Sequence, residues 1–252
     1  MIEVKNLRTG YPGKTVLDGL SLTIPEGKVT VIAGPNGCGK STLLKALCGM
    51  LPVQAGDILL DGRPIGGFAP KELARNVAYL SQSRRVPDIT VERLVLHGRF
   101  PYLSYPRRYR SQDVQIARSA MARMGLTELA GTPVANLSGG QRQKAYIAMA
   151  LAQDTRCVLL DEPTTYLDAA HQLQMMAHAR LLCAEGKTVV MVLHDLPLAL
   201  RSADHILVLG RDGLAAEGTP EAVFGSGCLK EVFGVELGRV STETGWHYFI
   251  DG

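Results

Sequence analysis

The sequence has no hydrophobic run long enough to cross a membrane. Its longest unbroken apolar stretch is the eight residues 145–152, whereas a membrane-spanning helix needs about 20. The first residues also lack a basic segment followed by an apolar one, so no secretion signal is expected. These two absences predict a cytosolic protein that acts at a membrane only through a partner.

Cysteine pairs and a strong charge of one sign are also missing. The five cysteines are odd in number and none are spaced C-x-x-C, which argues against a disulfide framework or a zinc ribbon and fits a reducing compartment. A net charge of +3 is too small to indicate nucleic-acid binding by itself. The 252 residues, 46% of them hydrophobic, are enough for a well-packed domain with a subdomain.

A complete G-x-x-x-x-G-K-[ST] phosphate loop stands near the start of the chain. The apolar, β-branched run 29–33 before it predicts a buried parallel strand, and residues 42–47 predict a helix that stops near Gly49. This strand-loop-helix context is the one that the motif requires, so we expect the chain to bind a nucleoside triphosphate. The loop consists of Gly34, Pro35, Asn36, Gly37, Cys38, Gly39, Lys40, Ser41 and Thr42.

The residue types in this loop suit phosphate and a divalent metal. Glycines allow backbone N–H groups to surround phosphate oxygens, and the helix N-terminus adds partial positive charge. The ammonium of Lys40 can reach the β- and γ-phosphates, and the hydroxyl of Ser41 is placed to ligate Mg²⁺. Local dipoles would favour a thiolate at Cys38, although we favour the plainer interpretation of a tolerated small residue.

Three further apolar strands are predicted, and each ends at polar residues. They span 76–80, 157–160 and 188–193. Because strands alternate with helices, we expect parallel β-α units whose polar ends converge above the phosphate loop. An acid pair after a strand suits phosphoryl transfer, the first acid holding Mg²⁺ and the second polarising a water. The residues at the strand ends are Gln82, Asp161, Glu162 and His194.

The remaining segments predict a β region and an inserted helical region. Alternating apolar residues over 1–28 and a strand-and-turn patch at 56–62 indicate antiparallel strands. Short helices broken by glycine and proline begin after Pro87, and the clearest spans 112–124 with Ser111 as its N-cap. A later helix over 171–185 is expected to bury one apolar face. That face comprises Leu173, Met176, Ala177 and Leu181.

The segment 99–110 is the one stretch that could contact nucleic acid. It holds four arginines and four aromatic residues and no acid, a mixture that can pair with phosphates and stack on bases. Contact with anionic lipid headgroups or with a partner protein fits the same mixture at least as well. We therefore expect no nucleic-acid partner.

Residues 137–141, Leu-Ser-Gly-Gly-Gln, resemble letter for letter the signature of ATP-binding-cassette (ABC) ATPases. Ser138 would cap a helix whose N-terminal N–H groups could cradle a phosphate. The further matches are Tyr11 for the adenine-stacking aromatic, Gln82 for the Q-loop, Asp168 for the D-loop and His194 for the switch histidine. The resemblance implies an α/β P-loop NTPase fold over about 1–225, with an antiparallel β subdomain, a helical subdomain at about 83–155 and a short C-terminal extension, 226–252.

The family resemblance also implies a mechanism. Two cassettes dimerise head to tail, so that each ATP lies between one subunit's phosphate loop and the other's signature. A complete site would need a second copy of this chain or a close paralogue. In the resemblance, the loop amides and Lys40 hold the phosphates, Glu162 is the general base, His194 steadies the γ-phosphate and Asp168 links the two sites. Ser41, Gln82 and Asp161 organise Mg²⁺, and the opposite subunit closes the site with Ser138, Gly139, Gly140 and Gln141.

Other features narrow the kind of ABC protein. The chain has one cassette, no membrane span and a compact spacing of 96 residues from Ser41 to the signature, which favours a separate ATPase subunit for a polytopic permease. The stretches 98–102 and 161–172 resemble the ATPases of metal-chelate importers, which carry ferric siderophores, haem, cobalamin or oxyanions. Ferric siderophore import is our first choice, and the same role for haem, cobalamin or an oxyanion is the alternative. A soluble nucleic-acid-associated ATPase ranks below both, and an inactive scaffold is disfavoured because Lys40, Glu162 and His194 are all present.

This resemblance implies a position and partners. The ATPase would lie at the cytoplasmic face of the inner membrane, bound to the permease and only indirectly to a substrate-binding protein. We expect a groove near Gln82 and residues 83–110 to receive a cytoplasmic helix of the permease.

Overall fold

The computed structural model describes residues 1–82, 86–165, 167–243 and 245–251. It divides the chain into two compact units, Met1–Gly67 with Met176–Gly252, and Phe68–Met175. The predicted helical subdomain, about 83–155, falls within the second unit, and its residues 83–85 lie outside the described residues. The boundary at residue 225 stays a prediction.

Twelve β-strands and nine α-helices lie within the described residues. The strands are β1 (Ile2–Tyr11), β2 (Lys14–Ile24), β3 (Val29–Ala33), β4 (Val53–Leu60), β5 (Arg63–Pro64), β6 (Val77–Leu80), β7 (Cys157–Leu160), β8 (Thr188–Val192), β9 (His205–Gly210), β10 (Gly213–Gly218), β11 (Glu236–Thr242) and β12 (Gly245–Asp251). The helices are α1 (Lys40–Leu47), α2 (Pro70–Asn76), α3 (Val91–His97), α4 (Ser111–Arg123), α5 (Gly139–Ala152), α6 (Ala169–Ala184), α7 (Leu196–Ser202), α8 (Pro220–Gly225) and α9 (Cys228–Phe233). Over the part of the chain that is described, none of these helices is both long and apolar enough to cross a membrane.

The first unit contains the predicted antiparallel region. Strands β2, β1, β4 and β5 form a sheet in that order, with β1 antiparallel to both β2 and β4. Ile2, Val4 and Leu7 are buried on β1, as the alternating pattern predicts for a sheet with one packed face. The strand-and-turn patch predicted at 56–62 corresponds to β4, which begins earlier, at Val53, and ends at Leu60.

The first unit also contains a parallel core around β3. Strand β3 pairs in parallel with β8 on one side and with β9 on the other. Strand β10 pairs antiparallel with β9. All five residues of β3 are buried, because a central parallel strand is covered on both faces. The prediction of a buried parallel strand at 29–33 is therefore confirmed, and the phosphate loop continues from its carboxyl end.

The last residues of the chain pack onto this unit as a hairpin. Strands β11 and β12 pair antiparallel, and β12 contacts α7. The Tyr248 side chain is buried, with its ring centre 5.2 Å from that of Phe224 in α8. The C-terminal extension is thus an integral layer of the first unit.

In the second unit, parallel strands β6 and β7 accompany the helices α3, α4 and α5, which pack on one another. Helix α4 buries Ala117, Ala120 and Met121, as the apolar pattern predicts. The expected N-cap is wrong by one residue, because Ser111 is already helical and Arg110 is the cap. The reason is Asp113, whose carboxylate accepts the Arg110 backbone N–H at 2.9 Å.

Arg99 in the basic and aromatic segment is a buried structural residue. Its Nε donates to Oδ1 of Asp113 at 3.0 Å and its Nη1 donates to the Ala152 carbonyl at 3.0 Å. Its guanidinium carbon also lies 3.9 Å from the ring centre of Tyr102. Arg99 is therefore unavailable to nucleic acid or lipid, whereas the Tyr105 side chain in the same segment is 96% exposed.

The predicted buried face of α6 is wrong for three of its four residues. Met176 is buried, but Leu173, Ala177 and Leu181 are exposed. The buried residues are Met175, Met176, Ala179 and Leu182. Apolar residues occur all round this helix, so the 3.6-residue period did not single out the face that packs.

Candidate nucleotide-binding site

The phosphate loop requires glycine at two positions where its backbone approaches neighbouring strands closely. A Cβ on Gly34 would lie 2.5 Å from the Leu209 carbonyl oxygen, and one on Gly39 would lie 2.5 Å from a methyl carbon of Leu17. Gly39 has φ +104°, in the region that side-chain-bearing residues rarely adopt. The loop is therefore packed tightly between β9 and β2.

Lys40 supplies the positive charge of this loop. It is the first residue of α1 and is only 6% exposed. Its Nζ donates to the carbonyl oxygens of Gly34 at 2.7 Å and Pro35 at 2.9 Å. An ammonium has three N–H donors, so these two bonds aim the group and leave a donor for a phosphate oxygen. The loop and its lysine therefore fit a triphosphate.

The surroundings of Cys38 do not favour the thiolate that the local dipoles of the loop would stabilise. Burial raises the pKa of its thiol, and this effect outweighs the opposing field of the Lys40 ammonium. Cys38 is therefore a neutral thiol near pH 7, in line with a tolerated small residue. Among the other loop residues, Ser41 is half-buried, Thr42 is buried and Asn36 is exposed.

Tyr11 ends β1 in the same unit and is 38% exposed. Lys45, on the last turn of α1, donates from Nζ to the Tyr11 hydroxyl at 3.1 Å, and Nζ is 5.5 Å from the ring centre. These two distances place the ammonium beyond the hydroxyl end of the ring, so the contact is a hydrogen bond to the hydroxyl. Lys45 was not predicted as a site residue, because nothing in its spacing links it to Tyr11.

His194 lies two residues beyond the end of β8 and is exposed. The next residue, Asp195, caps α7 by accepting the Leu198 backbone N–H at 2.8 Å. The histidine is thus fixed between a buried strand and a capped helix in the first unit.

Gln82 and Glu162 meet in the second unit. Strands β6 and β7 are parallel and in register at Leu80 and Leu160, so the residues that follow them lie side by side. The Nε2 of Gln82 donates to Oε2 of Glu162 at 2.5 Å. The structure thereby brings together two of the residues expected to converge.

Glu162 adopts a backbone conformation that is unusual for its residue type. Its φ is +51°, which costs about 1–2 kcal/mol for a residue with a side chain. The hydroxyl of Thr165 donates to Oε2 at 3.2 Å, the same oxygen that Gln82 contacts. Strain of this kind persists where the surroundings fix it and is common at functional sites.

Asp161 is the buried member of the acid pair, with 3% exposure. Its backbone N–H donates to the Leu80 carbonyl at 2.8 Å, and the Tyr79 hydroxyl donates to its Oδ2 at 3.1 Å. The tyrosine fixes the carboxylate rotamer. Tyr79 was not predicted as a site residue, because its position inside an apolar strand gives no sign of a polar role.

The signature forms a capped helix start, as predicted. Ser138 Oγ accepts the Gln141 backbone N–H at 3.2 Å, and Gln141 Oε1 accepts the Ser138 N–H at 3.1 Å. This reciprocal capping box fixes the first turn of α5. Apart from its chain neighbours and its own helix backbone, no atom of the described residues lies within 4 Å of the position that a Cβ on Gly139 would take, so the backbone there is open to approach.

A cavity of about 440 Å³ adjoins the signature within the second unit. Asp168 lies at this cavity, and the residue before Leu167 in the D-loop, Tyr166, lies outside the described residues. Hydrogen bonds from the backbone and then the ring of His171 hold the pKa of the Asp168 carboxyl below its usual range. The polar and charged residues lining the cavity are Ser138, Gln141, Lys144, Asp168 and His171.

The candidate residues therefore form one set in each unit. The first unit holds the phosphate loop, Tyr11 and His194, and the second holds the strand-end residues and the signature. The residues of the second set are Gln82, Asp161, Glu162, Ser138, Gly139, Gly140, Gln141 and Asp168.

Comparison with known proteins identifies the family. Residues 17–165 match the profile of the ABC transporter family. The petrobactin import ATP-binding protein FpuD of Bacillus anthracis is 44% identical over 96% of this chain and 89% of its own. The ferric enterobactin transport ATP-binding protein FepC of Escherichia coli is 42% identical over 92% and 86%, respectively. The hemin import ATP-binding protein HmuV of Nocardia farcinica is 40% identical over 88% and 77%.

Solved structures agree with these relatives. A chain of a metal-chelate type ABC transporter in an inward-facing conformation is similar with a TM-score of 0.85 and 27% identity, covering 100% of this chain and 97% of that one. A nucleotide-free ATP-binding cassette from an ABC transporter is similar with a TM-score of 0.79 and 26% identity, covering 93% and 95%.

Proposed function

This chain belongs to the ABC transporter family as an ATP-binding subunit that hydrolyses ATP, and on that premise we propose that it drives the import of a ferric siderophore. The observation that carries the ATPase part is the glycine loop with its buried lysine ammonium, held by two loop carbonyls. The cargo is supported by relatives named for petrobactin, achromobactin and enterobactin at 42–44% identity. Haem is the second candidate, because a hemin import subunit is 40% identical.

In the proposed mechanism the phosphate loop binds the triphosphate of ATP. Its backbone N–H groups and Lys40 contact phosphate oxygens, and Tyr11 stacks on the adenine. Lys45 holds the hydroxyl of Tyr11 and thereby limits rotation of the ring. His194 steadies the γ-phosphate.

We further propose that the site uses Mg²⁺, held by Ser41, Gln82 and Asp161. When bound, Mg²⁺ neutralises negative charge on the triphosphate. The donor set is made of hydroxyl, amide and carboxylate oxygens, which are the ligands this ion prefers. The Tyr79 hydrogen bond to Oδ2 would help to orient the Asp161 carboxylate for this role.

Glu162 is proposed as the general base that takes a proton from the attacking water. The Gln82 amide has two different ends, and its nitrogen already donates to Glu162. Its oxygen is an acceptor and is left for the metal. Gln82 would thus tie the position of the base to the position of the ion.

The proposed working form is a head-to-tail dimer with a second copy of this chain or a close paralogue. Ser138, Gly140 and Gln141 would close on the ATP of the opposite subunit, with the open backbone at Gly139 allowing the approach. ATP favours the closed dimer because only that state offers both halves of the site. The dimer would bind permease subunits at the cytoplasmic face of the membrane, and a substrate-binding protein would act on the permease.

The exposed part of segment 99–110 is proposed to contact the permease. Tyr105 is almost fully exposed, and Arg107 lies with its guanidinium carbon 4.8 Å from the ring centre of Phe100. Reversing the charges of Arg107 and Arg108 should weaken the ATPase–permease complex in a pull-down. Unchanged complex formation and transport would remove these arginines from the interface.

The test is uptake of radiolabelled ferric siderophores and haem by iron-starved cells. Cells would carry the intact protein, no protein, Glu162→Gln or the control Glu128→Gln, which makes the same chemical change at an exposed acid. We expect siderophore uptake to require the protein and to be lost with Glu162→Gln, while Glu128→Gln is normal. Loss of haem uptake alone would select the second candidate, and normal uptake of both in deleted cells would contradict either cargo.

A further inference from the structure

A histidine three residues after Asp168 lies against the D-loop carboxylate. Nδ1 of His171 is 2.7 Å from Oδ1 of Asp168, and the His171 backbone N–H donates to the same oxygen at 2.8 Å. Because an ionised carboxylate only accepts hydrogen bonds, Nδ1 carries the proton in this contact. One residue therefore supplies two hydrogen bonds to one carboxylate oxygen.

Helix capping accounts for only one of these two bonds. Asp168 precedes α6 as Asp195 precedes α7, and in each case the aspartate accepts the backbone N–H of the third helical residue at 2.8 Å. In α7 that third residue is Leu198, which has no side-chain donor. A stable cap in this chain thus does not need a ring at this position, so the imidazole bond adds something beyond the cap.

The added bond acts on a carboxylate that would otherwise have freedom to move. The Asp168 side chain is 66% exposed, and an exposed side chain exchanges between rotamers on the nanosecond scale. Asp168 and His171 both line the cavity beside the signature. Lys144 lines the same cavity.

We infer that His171 is a positioning residue, whose ring holds the Asp168 carboxylate in the orientation that the closed dimer needs. The inference rests on the proposed function, in which Asp168 links the two ATP sites across the dimer. The ring would lower the cost of ordering Asp168 when the second subunit arrives, because the ordering has already taken place in the free subunit. Its effect should therefore appear in dimer formation and turnover rather than in folding.

Three substitutions of His171 separate an effect on dimer formation and turnover from an effect on folding. His171→Leu keeps the backbone cap and copies the arrangement at α7. His171→Asn keeps a side-chain N–H close to the Nδ1 position, whereas His171→Gln places its N–H near the Nε2 position. Each is combined with Glu162→Gln, which should prevent hydrolysis and let the ATP-bound dimer accumulate, and dimerisation with ATP is measured by sedimentation velocity.

We expect His171→Leu and His171→Gln to weaken ATP-dependent dimerisation about fivefold, the size of one partly exposed charge-assisted hydrogen bond, and His171→Asn to restore it. In the background with Glu162 intact, kcat should fall with the KM for ATP nearly unchanged. The melting temperature should stay within about 2 °C of the parent, because the cap is retained.

The outcomes separate the two proposals. If Glu162→Gln alone forms no dimer with ATP, the proposed dimeric mechanism fails. If it dimerises and His171→Leu dimerises equally well, the positioning role of His171 is refuted. A lowered melting temperature without recovery in His171→Asn would likewise reduce His171 to a folding role.

Discussion

The buried ion pair of Arg99 and Asp113 is the evidence that residues 99–102 have a structural role. Its contribution to the free energy of unfolding can be measured. The two side chains are 7% and 9% exposed. Asp113→Ala would leave the guanidinium buried with the Ala152 carbonyl and Tyr102 as its remaining partners among the described residues. Removing one member of a buried pair costs about 3–5 kcal/mol, because the remaining charge is uncompensated.

Asp113 also accepts the Arg110 backbone N–H at the start of α4, and loss of such a cap costs about 1 kcal/mol. The Ala152 carbonyl offsets part of the total, so we expect the free energy of unfolding to fall by about 3–5 kcal/mol. Urea unfolding followed by far-UV circular dichroism measures this change.

A double substitution makes the test specific to charge. Arg99→Met with Asp113→Ala removes both charges and retains apolar volume, so it should be less destabilising than Asp113→Ala alone. A loss below about 1 kcal/mol in Asp113→Ala, or additive losses in the double variant, would refute the buried-pair argument. Arg99 would then be open again to a role in partner binding.

Two further predictions concern the first unit. Gly39→Ala should abolish ATP binding in a fluorescent-nucleotide assay, because the added methyl would clash with Leu17 at 2.5 Å and φ is +104°. Near-normal affinity would contradict the required loop geometry. Gly37→Ala is the control, because Gly37 also has a positive φ but an added methyl there meets no neighbouring atom of the described chain within 4 Å. Burial lowers the pKa of His205 below 6.5, and its Nε2 is buried with no partner among the described residues. As the pH falls, the unfolded chain therefore binds the proton first. The free energy of unfolding should decrease as the pH drops below about 6.5 and stay constant below the folded pKa. His205→Gln should reduce the difference in stability between pH 7.5 and pH 5.5 in urea titrations, and an unchanged difference would assign the pH dependence to other groups.

The sequence predicted the parts of the site that depend on local pattern. The phosphate loop follows from one strand, one glycine run and one helix start, all within residues 29–47. The positions of Gln82 and Asp161 follow from where apolar strands end, and parallel pairing then places such residues side by side. The capping box of Ser138 and Gln141 is likewise set by residues three apart.

Contacts set by tertiary packing could not be predicted in this way. Arg99 reaches Asp113 across a helix start, and Lys45 reaches Tyr11 across 34 residues. The face of α6 that packs is chosen by its neighbours, because apolar residues surround that helix. The bond from His171 to Asp168 spans only three residues, but it depends on a side-chain rotamer that no periodicity encodes.

The contact between Gln82 and Glu162 has a consequence for the variation that this position can tolerate. Glutamine and glutamate codons differ by one base, so the exchange is among the easiest for mutation to reach. Here it would set two carboxylates side by side with no hydrogen atom between them, and their mutual repulsion would move the side chain of Glu162 out of its position. The proposed base would then lose one of the donors that fix it. Selection at this codon should therefore act on a single amide nitrogen, although the size and shape of the two side chains are nearly the same.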